Sequence, residues 1–378
     1  MELFDNKRDR QELYSKHLEN PYDFFDSAIG IFQDVRELLN SWFINYPLDE
    51  QAELKSRFQS DFYPAFFELT LHEIFRRQGY TLLVHPAVSG TGKRPDFLIS
   101  KDDIKFYLEA RVVTDVTAAE QARMNKRDLF YDQMARIKNK KFGISLHSVE
   151  FISGHQPNGK KAVKFFDDYL SKLDHASLIE QVRIEHNYHI PEQFYEDKDV
   201  RIVFVPWPLD VIDESIHQPI LSYPHEGWMG GCEESIKKAI KVKSTGYGNM
   251  EYPYLICLNC ISKKRVDNTD IVKSLYHYYD IDQALGELER ERRLKEQGIF
   301  SKAFAGSFEK VSGVFITNVA PTTLHVAPHW LCNNPNARHS LCLSDWRLDK
   351  NWWEGNEFRT RKGITLGQVV DLPVDWLQ

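Results

Sequence analysis

Glu68, then Arg94-Pro95-Asp96-Phe97, then Phe106-Tyr107-Leu108-Glu109-Ala110-Arg111-Val112: this stretch decides the reading of the chain. The apolar spacing from Phe62 to Gln78 predicts a helix carrying Glu68, with Gly79 as its stop. Thr81–His85, Pro95–Ile99 and Ile104–Val113 read as three successive strands, parted by the turns Ser89-Gly90-Thr91-Gly92-Lys93 and Lys101-Asp102-Asp103. Side chains alternate along a strand, so Lys105, Tyr107, Glu109 and Arg111 share one face of the third strand. Phe106, Leu108, Ala110 and Val112 share the other, the expected core side. Asp96 faces opposite to Pro95 and Phe97. Glu68 falls on a helix face with Ala65, Leu71, His72 and Phe75, where a carboxylate needs a partner. Asp96 and Glu109 flank a strand–turn–strand unit and can converge on one hard, oxygen-seeking cation such as Mg²⁺.

Working outward, Pro21 to Ser60 is helical in pattern, with Phe24, Phe25, Ile29, Phe32, Val35, Leu38, Leu39 and Phe43 at three- and four-residue steps, interrupted at Pro47. Residues 1–60 are therefore expected to form a helical N-terminal extension. Residues 61–345 are expected to form one α/β core of alternating strands and helices, and residues 346–378 a packed aromatic tail. Beyond the opening stretch, strands are expected at Phe142–Ser153, Val200–Val205 and Tyr254–Cys260. Helices are expected at Val163–Leu173, Cys232–Lys243 and Ile281–Gln297.

The 378 residues are 42% hydrophobic and 13% aromatic, enough for a sizeable core, and carry a formal net charge of −7. Contact with nucleic acid would then need a local basic patch. One is present: residues 121–143 hold seven bases, among them Arg123, Lys126, Arg127, Arg136 and Lys138, against Asp128 and Asp132. A helix is expected there, with Phe130, Tyr131, Met134 and Ile137 as its apolar face and the bases free to neutralise phosphates. A weaker group, Lys237, Lys238, Lys241 and Lys243 followed by Tyr247, reads as a helix end that could extend a groove. Five scattered cysteines suit a reduced, intracellular protein. The charged start and the lack of a long apolar run point to a cytoplasmic protein without a membrane partner. Cys257 and Cys260, three apart on a strand, face opposite ways and read as core residues, not a zinc pair.

The run Glu68…Arg94-Pro95-Asp96…Glu109-Ala110-Arg111 resembles the PD-(D/E)XK superfamily of restriction-endonuclease-like nucleases, most strongly over about 50 residues. The resemblance implies a restriction-endonuclease-like mixed central sheet flanked by helices. It implies Mg²⁺ (or Mn²⁺) held by Asp96 and Glu109, with Glu68 assisting through water, and hydrolysis of phosphodiester bonds, of DNA more than RNA. Defence against foreign DNA is the setting it implies. The family lysine falls on Arg111. A guanidinium stays charged, so it would stabilise the phosphorane but not act as a base, and metal-bound water would carry the attack. Two alternatives stand beside this one. A catalytically inactive nucleic-acid-binding or scaffold module would share the core. An interaction subunit would dock a second copy or a partner protein through its N-terminal helices.

Overall fold

The computed structural model describes the chain except residues 5–19, 28–29, 90, 115, 117, 185–189, 211–218, 225–231, 249, 262–265, 278–288, 290–295, 305, 355–356 and 378. The helix expected at Ile281–Gln297 lies almost wholly outside the described residues.

The protein is a mixed α/β molecule, and its chain divides into two compact units. The first combines residues 1–12, 20–115 and 228–378; the second is built mainly from residues 116–227. The boundaries drawn from the sequence at 60 and 345 are thus not where the chain divides. Residues 116–227 close around their own apolar cluster, which no hydrophobicity break in the sequence announces.

In the first unit, helices α1 (Pro21–Phe25), α2 (Gln33–Phe43) and α3 (Gln51–Ser60) precede α4 (Phe62–Arg77). The three strands the sequence predicts follow as β1 (Thr81–Val84), β2 (Phe97–Lys101) and β3 (Ile104–Val113), and they pair as an antiparallel meander. Gly79, at φ +83°, ends α4 in the left-handed region that a residue without Cβ enters at little cost. After the second unit the chain returns as α8 (Cys232–Ser244) and β8 (Tyr254–Cys260), with β8 parallel to β3. Strands β9 (Gly313–Thr317), β10 (His329–Asn333), β11 (Lys350–Glu354) and β12 (Glu357–Arg361) complete a sheet in the order β1-β2-β3-β8-β9-β10-β11-β12.

Both faces of this sheet are covered, which corrects the expectation of one core face on β3. Phe106 and Leu108 join the cluster under α4, whereas Tyr107 and Val113 join the one under α8 and α9 (Asn268–Leu275). The β8 and β9 strands are buried at every residue, the pattern of parallel strands with helices on both sides. Cys257 and Cys260 divide between the two clusters, as alternation requires. The N-terminal helices are integral to the first cluster. Leu39, Trp42, Phe43, Leu54 and Phe58 pack with Phe66 and Phe75 of α4, and the C-terminal Leu366, Val369 and Trp376 join them. The α4 helix is consequently buried almost all round, from Ala65 to Phe75.

In the second unit, α5 (Ala118–Met134), β4 (Phe142–Phe151), α6 (Gly159–Leu170), α7 (His175–Ile184), β5 (Gln193–Glu196), β6 (Val200–Pro208) and β7 (Ile220–Ser222) give a sheet ordered β5-β6-β4-β7. Phe130, Tyr131, Met134 and Ile137 are buried together with Phe142, Ile144 and Phe166, as the apolar stripe predicts. The helix expected over 121–143 stops at Met134. Asp167 accepts the Lys138 and Asn139 backbone N–H groups at 2.8 and 3.1 Å, and the Asn139 side chain accepts those of Lys141 and Phe142, so residues 135–141 form a pinned loop.

Candidate functional site

Asp96 precedes β2 by one residue, at the end of the β2–β3 ladder in which Phe97 pairs with Leu108. Its Oδ2 accepts the Ala110 N–H at 2.6 Å, which fixes the carboxylate against β3. The antiparallel register sets it beside Glu109, and the two share the α8 face of the sheet. Asp96 is half-buried as a residue, with its carboxyl group well inside. Burial, then the Glu109 and Glu68 carboxylates, push its pKa up to about 7; Lys243 and the Ala110 N–H pull the other way.

Glu109 is buried, and its two oxygens find different donors. Lys243 Nζ, from the last turn of α8, pairs with Oε1, and the Tyr247 hydroxyl donates to Oε2. Tyr247 also reaches the Arg94 carbonyl at 3.2 Å and packs edge-on against Tyr254 at 5.7 Å. Its phenol pKa is raised, first by burial and then by the hydrogen bond to Glu109. Tyr254 in turn donates to the Lys243 carbonyl at 3.4 Å, so β8 positions the segment that carries both partners of Glu109. Beneath lies Cys257, fully buried, its thiol pKa pushed well up by burial and by the Asp96 and Glu109 charges.

Glu68 stands apart. It projects from α4 on the opposite side of the sheet from α8, and its partner is a guanidinium. Arg57 donates to both oxygens at 2.6 and 2.8 Å, and Tyr46 adds a hydroxyl at 2.6 Å. Both donors come from residues 1–60. His72, one turn on, stacks obliquely on Tyr46 at 4.9 Å, and burial depresses its pKa to about 4. Glu68 therefore reaches Asp96 through its field, while its lone pairs are spent on Arg57 and Tyr46.

Arg111 lies two residues beyond Glu109 on the same strand face, half-buried, and no hydrogen bond or ion pair ties it down among the described residues. Of the four residues predicted from the sequence, Asp96, Glu109 and Arg111 share one corner and Glu68 another. Lys243 and Tyr247 are what the sequence reading left as a helix end. They join Glu109 across 134 and 138 residues of chain, and nothing local marks that pairing.

The predicted nucleic-acid-binding residues belong to the second unit. Arg123 is exposed. Lys126 donates to the Ser153 carbonyl at 2.6 Å and lies over Phe151 at 5.2 Å, while Arg127 pairs with Asp128 at 2.9 Å, so both also serve the local fold. Arg136 and Lys138 are exposed and line a cleft with Lys160 and Lys164, edged by Asp167 and Asp168.

Two carboxylates on adjacent strands, one of which burial and then the other's charge push up to about 7, are a donor set that a divalent cation relieves. The fit is to Asp96 and Glu109 alone. Among the described residues no three His, Cys, Asp or Glu side chains group as a metal-ligand cluster, and no helix is long and apolar enough to cross a membrane. Compared with protein-family models, curated proteins and solved structures, the chain matches none.

Proposed function

We propose that the protein is a restriction-endonuclease-like, divalent-metal-dependent nuclease that hydrolyses phosphodiester bonds, those of DNA by preference. The observation that carries this reading is the Asp96–Glu109 pair, with its shared burial and the raised pKa of Asp96. The element order supports it as well: a helix with an inward acid, a three-strand meander, then a helix and a strand parallel to the third, with the second unit spliced between β3 and α8. In this reading Asp96 and Glu109 hold Mg²⁺ or Mn²⁺, which when bound supplies charge stabilisation and an acidified water. Arg111, a guanidinium with no hydrogen bond or ion pair among the described residues, neutralises the phosphate during attack. Glu68 fixes α4 and adds negative potential at Asp96, held in place by Arg57 and Tyr46. The basic cleft of the second unit supplies sequence-independent phosphate contacts.

A second reading, a catalytically inactive nucleic-acid-binding module, is favoured by one observation: both Glu109 oxygens already have protein donors. Incubating plasmid, single-stranded DNA and RNA with Mg²⁺ or Mn²⁺, with Asp96→Ala alongside, separates the two. The nuclease reading expects cleavage by the wild type that the variant lacks. Salt-sensitive binding with no cleavage by either protein would establish the inactive module, and cleavage retained in Asp96→Ala would remove the site from consideration.

A further inference from the structure

The two glutamates are held by donors of different kinds. Arg57 grips Glu68 with two parallel N–H donors, a planar fork that loses both bonds at once if it leaves. Lys243 touches Glu109 at one point, from a flexible stem whose side chain keeps 26% of its exposure. A compact ammonium ion on a mobile chain is the kind of cation that another cation can replace. Tyr247, by contrast, is anchored by Arg94 and Tyr254 and is buried. Lys243 is thus the one partner of Glu109 that has somewhere to go.

We propose that Lys243 is a displaceable internal cation: its ammonium group occupies Glu109 in the metal-free protein, and a divalent ion must expel it to bind. This deepens the reading of Asp96 and Glu109 as metal ligands and rests on it. Displacement makes ion binding a competition, so the site stays charge-balanced and closed when metal is scarce. The cost of expelling Lys243 weakens the apparent affinity for the ion by the fraction of time the site is closed. The released ammonium remains tethered at the end of α8, on the side of the sheet that Glu109 and Arg111 share.

The test is calorimetric titration of Mn²⁺ into the full-length protein without nucleic acid, so that no cleavage is needed. Lys243→Met is expected to tighten Mn²⁺ binding about tenfold or more, because a competing unit charge in contact with the carboxylate is gone. Lys241→Met removes an exposed charge from the same helix, where Lys241 lies over Phe304 at 5.8 Å, and is expected to change affinity by less than about threefold. Lys243→Arg keeps the charge and offers Glu109 a fork, and is expected to hold affinity level or weaken it, which keeps the proposal testable should Lys243→Met fail to fold. A Lys243→Met affinity no tighter than that of Lys241→Met, or a tighter Lys243→Arg, overturns the proposal while leaving the metal site intact. Absence of any Asp96→Asn-sensitive Mn²⁺ binding in every variant overturns the metal-site reading, and the proposal with it.

Discussion

Glu68 and Glu109 are both buried acids, both have a tyrosine and a cation as partners, and yet they differ in what they can do. Glu68 is closed by a bidentate guanidinium and a short phenol bond, on a helix packed on all sides. Glu109 is closed by a single ammonium contact and shares its corner with Asp96, whose own carboxyl group has, among the described residues, only a backbone N–H as donor. Burial of an acid therefore says little by itself. In the proposed reading, what separates a structural corner from a metal-holding one is whether the counter-charge is fixed or replaceable, and whether a second acid crowds the first.

The comparison breaks most readily at Glu109. Glu109→Ala should lower Mg²⁺-dependent cleavage by about 10³-fold or more, since several kcal/mol of transition-state charge stabilisation leave with the ion. Single-turnover assays on plasmid would show it, and a loss of under tenfold would move the chemistry elsewhere. Next in size, Arg57→Met should destabilise the fold by about 2–3 kcal/mol, read by urea unfolding. Breaking a buried pair costs about 3–5 kcal/mol, and the one-third exposure of Arg57 discounts that. An equal loss from Lys243→Met would erase the distinction between the corners. Tyr247→Phe removes one hydroxyl from Glu109 and should cost about 1 kcal/mol or slightly more. The smallest effect belongs to the second unit. Charge removal at Arg136 and Lys138 should leave stability unchanged and lower the log–log salt slope of DNA binding by about one per residue.

The sequence carried the local part of this account. The α4, β1–β3 and β8 elements follow from apolar spacing and turns, and the burial of Glu68 follows from its helix face. Two things were not legible. One is the division of the chain, because residues 116–227 carry the same alternation of strand and helix as their surroundings. The other is partner choice. Arg57 for Glu68 and Lys243 for Glu109 are long-range facts of packing, and a lone basic residue in a helix has no local signature that names its acid. The same limit left the partner of the buried Glu68 unnamed in the sequence, where the N-terminal helices supply Arg57 and Tyr46.

Asp96 is where stability and function pull apart most clearly. Its carboxyl pKa is about 7 in the folded protein against an ordinary value near 3.8, so the folded state binds a proton the unfolded state has lost. Without metal, stability from this group is present below about pH 4 and is lost as pH rises toward 7. His72 runs the other way, because its depressed pKa of about 4 removes stability as pH falls below 6.5, so the wild-type profile mixes the two. Asp96→Asn isolates the aspartate: an amide can still accept the Ala110 N–H but carries no charge. In EDTA at pH 8, Asp96→Asn should be more stable than wild type by on the order of 2–4 kcal/mol, a gain that vanishes near pH 4. In Mg²⁺, the same preparation should cut no DNA that wild type cuts. A variant that is better folded and inactive is the outcome predicted for a metal-holding acid; cleavage retained in Asp96→Asn would contradict it.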